Sequence, residues 1–476
     1  MTAREYDLIV IGAGPVGENV ADRARAGGLS VAIVESELVG GECSFWACIP
    51  SKALLRPGAA VRAARAVDGA KQAVTGDLDV AAVLRRRDTF VHEWDDTSQV
   101  DWLIDIGADL VRGHGRITGE RAVEVTGADG SVTSLVALHA VAVCTGSAAL
   151  LPDIPGLADA AAWTSREATG AREIPPSLAI IGGGVVACEM ATAFSDLGAS
   201  VTVLARSGLL GGLEPFAGDL VTAALRERGV DVRTGVSPAE VRRDGAGDVV
   251  LTLDDGSEVR AAEVLVATGR VPRTGDLGLD SIDIAPGTWL DVDDTLRVRG
   301  TDWLYAVGDS NHRALLTHQG KYQARAAGDV IAARANGTAT DAAPWGAHAA
   351  TADHDAVPQV VFTDPEVAAV GLTADRARER GLEVRVVDYD LGAVSGASEY
   401  ADDYRGGARM VVDESRGVLV GATLVGPDVA ELLHAATVAI VGEVPIGRLW
   451  HAVPAYPTIS EVWLRLLEAY GRPTPS

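Results

Sequence analysis

Tyr6-Asp-Leu-Ile-Val-Ile11-Gly12-Ala-Gly14-Pro-Val-Gly17 decides how this chain folds. Tyr6 to Ile11 is a short apolar run with strand character, and the glycine-rich hexapeptide after it is a tight turn. A helix pattern follows to about Ala26 and stops at Gly27-Gly28. A second strand, Val31 to Val34, ends at Glu35. The order is strand, turn, helix, strand, the setting in which G-x-G-x-x-G binds a dinucleotide. Gly12 permits the turn, and Gly14 lets the backbone approach a pyrophosphate at the helix N-terminus, with Gly17 completing the motif. Glu35 stands where a carboxylate accepts from an adenosine ribose hydroxyl. Outside that setting the hexapeptide is an ordinary glycine-rich turn.

The same unit returns. Leu178 to Ile181 reads as a strand, Gly182-Gly-Gly184-Val-Val-Ala187 as the turn, a helix runs to about Leu197, and Ser200 to Leu204 is the next strand. Two copies predict two dinucleotide-binding domains. The second strand here ends without an acid, at Ala205-Arg206-Ser207. A guanidinium pairs with a 2′-phosphate that a carboxylate would repel, so Arg206 favours NADPH over NADH. Against this stands Arg206 as a solvated loop residue. Further strands are predicted at Val141–Cys144, Val264–Ala267 and Leu304–Val307, with a helix at Ala324–Ala335. From about Trp345 the pattern changes to strands at Gln359–Phe362, Ala368–Gly371, Glu383–Tyr389, Ala408–Asp413 and Val418–Val425. Helices are predicted at Thr373–Arg380, Pro427–Val441 and Ile459–Ala469. That is an α+β domain after two α/β ones.

The chain has 476 residues and a formal net charge of −25 at pH 7, with 47% of residues hydrophobic. Such acidity argues against a nucleic-acid surface. No stretch approaches the ~20 consecutive apolar residues needed to span a bilayer, and no signal peptide precedes the first strand, so a cytoplasmic location is expected. Four cysteines exclude a disulfide-stapled scaffold. Cys144 and Cys188 fall in a strand and a helix and read as core residues.

Cys43 and Cys48 are different. They sit five positions apart in Gly40-Gly-Glu-Cys43-Ser-Phe-Trp-Ala-Cys48-Ile-Pro-Ser-Lys52. A close pair at a helix start can bridge if the first turn is distorted, and the helix dipole lowers a thiolate's pKa there. The segment closely resembles the signature of the pyridine nucleotide–disulfide oxidoreductases, which include dihydrolipoamide dehydrogenase, glutathione reductase and mercuric reductase. The resemblance spans nearly the whole chain. It also takes in Cys144-Thr-Gly146, Ala267-Thr-Gly-Arg270, Ala306-Val-Gly-Asp309, Leu315-Leu-Thr-His318, Val361-Phe-Thr-Asp-Pro-Glu366 and Gly426-Pro.

The resemblance implies an α/β fold with two Rossmann-type dinucleotide-binding domains and a C-terminal α+β dimerisation domain. The expected limits are 1–149 for the FAD domain and 150–272 for the NAD(P) domain. Residues 273–344 would complete the FAD domain, and 345–476 would form the dimer interface. It implies FAD held by Gly12, Gly14, Gly17, Glu35, Gly41, Lys52, Thr145, Gly146, Asp309 (at the ribityl chain) and His318. It implies NAD(P) held by Gly182, Gly184, Ala187, Arg206, Gly269 and Arg270. Cys48 would be the charge-transfer thiol against the flavin and Cys43 the interchange thiol. Lys52 would meet flavin N5 and pair with Glu189. Hydride would pass from NADPH to the flavin on one face, with the cysteines on the other. No metal site is expected.

One segment departs from the family. Its disulfide reductases carry a His-Pro near the C-terminus, contributed across the dimer as the acid/base for the interchange thiol. Here the stretch is Tyr456-Pro457-Thr458-Ile-Ser-Glu461, so Tyr456 replaces the His while the partnering Glu461 remains. A phenol with a pKa of about 10 is a poor base at neutral pH. His451, five residues upstream, is off-register. A Tyr here resembles mercuric reductase, whose flexible tail carries paired cysteines; this sequence ends Gly-Arg-Pro-Thr-Pro-Ser. Trp46 between the cysteines either narrows the pocket, offers an aromatic stacking face, or fills core. The expectation is an FAD-dependent NAD(P)H oxidoreductase, a homodimer, acting on a small thiol or disulfide through Cys43–Cys48. The alternative is a quinone or metal-ion reductase working directly from the flavin.

Overall fold

The structure, a computed structural model, describes residues 3–472. The last four residues of the terminal Gly-Arg-Pro-Thr-Pro-Ser stretch therefore lie outside the described residues. The chain folds as two compact units, each built from separated stretches. One comprises Met1–Pro50, Asp88–Leu150 and Arg270–His354; the other comprises Ser51–Arg87, Leu151–Gly269 and Asp355–Ser476.

In the first unit, strands Asp109–Arg112, Val31–Glu35, Arg4–Ile11 and Val132–Val143 lie side by side in parallel, and Leu304–Ala306 joins Val132–Val143 in parallel. Leu8, Ile9 and Val10 are wholly buried, as are Ala32 and Ile33. Continuous apolar runs rather than alternation are what a parallel sheet covered on both faces demands. Strands Ala122–Thr126 and His114–Gly119 extend the sheet antiparallel from Val132–Val143. Their alternating burial marks one solvated face. Helix Pro15–Ala26 packs through Val20, Ala21 and Ala24 against the long helix Thr317–Ala335, with its Ala324, Ala327 and Ile331 in the same core. That helix begins two turns before the predicted Ala324. Its first turns carry polar residues, Gln319 and Gln323, that are buried by hydrogen bonding rather than by apolar patterning.

The second unit repeats the parallel arrangement with strands Asp231–Thr234, Ser200–Ala205, Ser177–Ile181 and Glu263–Val266. Three antiparallel strands, Pro238–Arg243, Val249–Leu253 and Glu258–Ala261, form a separate small sheet. Its C-terminal part is a five-stranded antiparallel sheet in the order Pro358–Val361, Glu366–Gly371, Val418–Gly426, Gly407–Asp413, Val384–Asp390. Every residue of the central strand Val418–Gly426 is buried. Helix Leu433–Val441 packs on it, and helix Glu461–Tyr470 packs on Val384–Asp390. The predicted helix from Pro427 is interrupted: Asp428 takes a left-handed conformation and a 3₁₀ turn, Val429–Leu432, precedes Leu433–Val441.

The fold is thus mixed α/β with two Rossmann-type sheets and a C-terminal α+β sheet. Among the described residues no helix is long and apolar enough to cross a membrane.

Candidate active site

The first unit contains a cleft lined by the glycine turn, Glu35, Gly41, Cys43, Trp46, Thr145, Gly146, Asp309 and Thr317. Gly12 has φ +102°, and a Cβ there would lie 2.5 Å from the Cys144 carbonyl oxygen. Gly41 has φ +56°, and its Cβ would lie 2.8 Å from Gly14 Cα. Only glycine leaves these two backbone segments this close, and the cleft between them stays open for a ligand. Gly17 lies on the buried side of helix Pro15–Ala26. Glu35 accepts from Ala13 N at 2.8 Å and Glu37 N at 2.7 Å, so its carboxylate is fixed at the cleft wall.

The Thr145 hydroxyl is enclosed at this cleft and has no hydrogen-bond partner among the described residues. A buried polar atom without a partner calls for a ligand or water to satisfy it. With the glycine cradle and the fixed acid, the cleft fits FAD: Gly12, Gly14 and Gly41 would face its pyrophosphate, Glu35 its ribose, and Thr145 and Asp309 would supply polar contacts farther along. His318 is exposed on the second residue of helix Thr317–Ala335 and does not line the cleft.

Asp309 sits in a one-turn 3₁₀ element, Gly308–Asn311. Its carboxylate accepts from the Ser147 hydroxyl at 2.5 Å, and that hydroxyl accepts from Arg270 Nε at 2.5 Å. Arg270 also donates to the Ser147 carbonyl at 2.7 Å. Arg270 belongs to strand Arg270–Pro272, paired with Ser147–Ala149, and lines the same cleft as Asp309. The chain crosses from one unit to the other between Gly269 and Arg270, a change that no sequence pattern marks.

Cys43 lines the same cleft, and Cys48 lies close by in sequence. They do not share one distorted helical turn. Cys43 lies in a short helix, Gly41–Phe45, which Trp46 ends at φ −137°, and Cys48 is the first residue of a separate helix, Cys48–Arg65. Pro50 falls in that helix's first turn, where its missing N–H costs nothing. Both cysteines are free thiols here. Hydrogen bonding to the Cys48 sulfur, then burial, push the Cys43 thiol well above the ordinary range, while the Thr317 hydroxyl pulls it down. Thr317 Oγ1 also lies 3.3 Å from Cys48 Sγ. One hydroxyl therefore serves both sulfurs, from the first residue of a 19-residue helix whose N-terminus favours negative charge. Sequence reading quoted Thr317 inside a motif without a role for it. Arg273, paired with Glu42 at 3.0 Å, was also missed. Burial alone pushes the Cys144 thiol up, and it pushes Cys188 up to about 12, which suits inert core cysteines.

In the second unit, Lys52 Nζ lies 2.8 Å from Glu189 Oε2 and 4.8 Å from the centre of the Phe362 ring. Glu189 is buried, and its other oxygen accepts from Phe362 N at 3.1 Å. The carboxylate thus fixes the ammonium. Gly182 has φ +132°, Gly184 caps helix Val185–Asp196, and Ala187 is fully buried on it. Gly269 has φ +147°, and Arg206 is exposed just beyond strand Ser200–Ala205.

Tyr456 is 74% exposed, and His451 is exposed as well. Glu461 is buried at the start of helix Glu461–Tyr470, where one oxygen pairs with Arg465 at 2.5 Å and the other is enclosed without a partner among the described residues. The described residues hold no group of three or more His, Cys, Asp or Glu able to bind a metal ion.

Known proteins match this arrangement. Residues 6–329 match the family described as pyridine nucleotide-disulphide oxidoreductase, and residues 357–466 match its dimerisation domain. A mercuric reductase of Shigella flexneri is 35% identical over 95% of this chain and 79% of its own length. A dihydrolipoyl dehydrogenase of Halobacterium salinarum is 32% identical over 97% of this chain and 95% of its own. Among solved structures, the Cu(II) complex of RclA, an HOCl-induced flavoprotein disulfide reductase of Escherichia coli, superimposes with a TM-score of 0.83 at 23% identity. It covers 98% of this chain and 99% of its own. LpdA of Mycobacterium tuberculosis superimposes with a TM-score of 0.80 at 24% identity, covering 98% and 99%. The chain belongs to the pyridine nucleotide–disulfide oxidoreductases, FAD-dependent enzymes that use a pyridine nucleotide.

Proposed function

We propose that this enzyme passes electrons between NADPH and a small thiol or disulfide substrate through the Cys43–Cys48 couple, as a disulfide reductase or, in reverse, a dithiol oxidase. The observation that carries the reading is Thr317, whose hydroxyl interacts with both sulfurs at a cleft that fits FAD. Bound FAD supplies two-electron redox chemistry linking nicotinamide and disulfide. Reduction of the Cys43–Cys48 disulfide takes up two electrons and two protons and yields two thiols. Cys43, as thiolate, attacks one sulfur of a substrate disulfide; that S–S bond breaks and one substrate thiolate leaves. Cys48 thiolate then attacks Cys43, re-forms the internal disulfide and expels the second substrate thiol. Thr317 and the helix N-terminus at Cys48 stabilise the thiolate that waits between these steps.

Lys52, held by Glu189, is the cation assigned beside the flavin ring. Arg206, exposed beyond its strand, is assigned to the 2′-phosphate of NADPH. A homodimer is supported by the dimerisation-domain match and by exposed Val438, Val453 and Tyr456 in that region. Replacing Cys43 by Ser should lower NADPH-dependent disulfide turnover on the order of 10³-fold or more. Unchanged turnover of a panel of disulfides and dithiols sinks the proposal.

A second reading, reduction of a quinone or metal ion directly from the flavin, is favoured by Tyr456 standing where the acid/base His is expected. Relatives named mercuric reductase and the Cu(II) complex of RclA point the same way. Quinone or Hg(II) reduction that survives loss of both cysteines would select it.

A further inference from the structure

We propose that Asp353 is a positioning residue for the FAD site: acting through Gln323, it holds the Gly308–Asn311 turn that carries Asp309. The inference rests on FAD occupying the cleft of the first unit. Asp353 has a fully buried side chain. One of its oxygens accepts from Gln319 Nε2 at 2.6 Å and the other from Gln323 Nε2 at 2.9 Å. Gln323 is itself fully buried, and its amide oxygen accepts from Gly308 N at 2.8 Å and Asn311 Nδ2 at 2.8 Å.

The orientation of the Gln323 amide is dictated at both ends. An ionised carboxylate can only accept, and a backbone N–H can only donate. With Asp353 in place, the amide nitrogen must face Asp353 and the oxygen must face the turn. Without that acceptor the amide can rotate, and the Gly308 N–H loses its partner in a buried setting, where an unpaired donor is costly. Gly308 adopts φ +75°, a conformation that its neighbours must hold. From the opposite side, Ser147 fixes the Asp309 carboxylate. The turn is thus clamped between Ser147 at its cleft face and the Asp353–Gln323 relay at its buried face.

Gln319 provides an internal control. It bonds the same carboxylate from one helical turn earlier, and among the described residues no hydrogen bond carries it on to the turn. Arg313 Nη1 lies 3.8 Å from the Asp353 carboxylate and offsets its buried charge in the wild-type protein.

The test measures FAD release from the purified holoenzyme by the rise in free-flavin fluorescence after dilution, alongside thermal unfolding. Gln323→Leu and Asp353→Leu, which leaves no acceptor at 353, should each speed release about 10- to 100-fold. Gln319→Leu should leave it within about two-fold of wild type even if it lowers the melting temperature. The double variant Asp353→Asn with Gln323→Glu should return release to within about three-fold of wild type. In it the new carboxylate accepts from Gly308 N, Asn311 and the new amide at 353. Should a single variant fail to fold, recovery of folded, flavin-loaded protein in the double variant supports the relay, and no recovery overturns it. Equal release from the Gln319 and Gln323 variants also overturns it, leaving Asp353 a plain core group. A wild-type protein that binds no FAD would instead refute the reading of the cleft.

Discussion

Cys48 opens an 18-residue helix with a hydroxyl 3.3 Å from its sulfur, whereas Tyr456 leaves three-quarters of its surface exposed at 74%. The acid five residues beyond that tyrosine, Glu461, turns to Arg465 instead. The first region has what a redox-active thiol pair requires: two sulfurs, a shared hydroxyl and helix N-termini that favour negative charge. The second presents an exposed phenol where the resemblance leads one to expect an imidazole, and its nearby acid is paired with an arginine. The proposed thiol pair and the C-terminal segment lie far apart in sequence, so either can be altered by substitution on its own.

Restoring the missing base is the sharpest way to probe that contrast. Tyr456→His should raise disulfide turnover near pH 7 by about 10- to 100-fold, measured as kcat/KM across a pH series with a new limb near 6.5. An unchanged profile means that proton supply does not limit the enzyme. Weakening the other region should act in the opposite direction. Thr317→Val removes the hydroxyl from both sulfurs and should move thiol alkylation to higher pH, while Thr317→Ser should restore it. The pH dependence of alkylation of the reduced enzyme reads this out. Equal profiles for the Val and Ser variants would assign the charge to the helix terminus alone.

A smaller effect sits behind the first glycine turn. Glu18 is half-buried with one oxygen enclosed and unpartnered among the described residues. Burial pushes its carboxyl up to about 7, with Lys321 opposing and Glu35 adding to the rise. Because the folded value is raised, the protonated form is the stabilising one. Its contribution is present below about 4.5 and lost as pH rises through about 7. Glu18→Gln should therefore gain about 1–2 kcal/mol over wild type at pH 8 and nothing near pH 4.5, allowing for partial solvent exposure. Thermal unfolding at the two pH values checks the sign.

Much of this was legible in the sequence, for local reasons. The two glycine turns and Glu35 are imposed by backbone geometry within a few residues, so a short motif in its strand–helix setting carries them. Lys52 and Glu189 were legible through resemblance. Thr317 was not: its hydroxyl meets Cys48 across 269 positions, and nothing around it distinguishes it from any helix-initiating threonine. That Arg270 lines the first unit's cleft was not legible, because adjacency to Gly269 says nothing about which unit a residue enters. The start of helix Thr317–Ala335 was missed because its buried face is built from Gln319 and Gln323, which read as solvent-facing until Asp353 is seen between them. Glu461–Arg465, an i,i+4 pair, was readable in principle but was obscured by the expectation of a dyad.

The central claim is that electrons reach the cysteine pair. Anaerobic titration of the oxidised holoenzyme with NADPH, with thiols counted by alkylation at each step, tests it most directly. The account predicts that the first equivalent of NADPH per subunit generates two new thiols, mapped to Cys43 and Cys48. Bleaching of the flavin absorbance by that equivalent with no new thiols would contradict it.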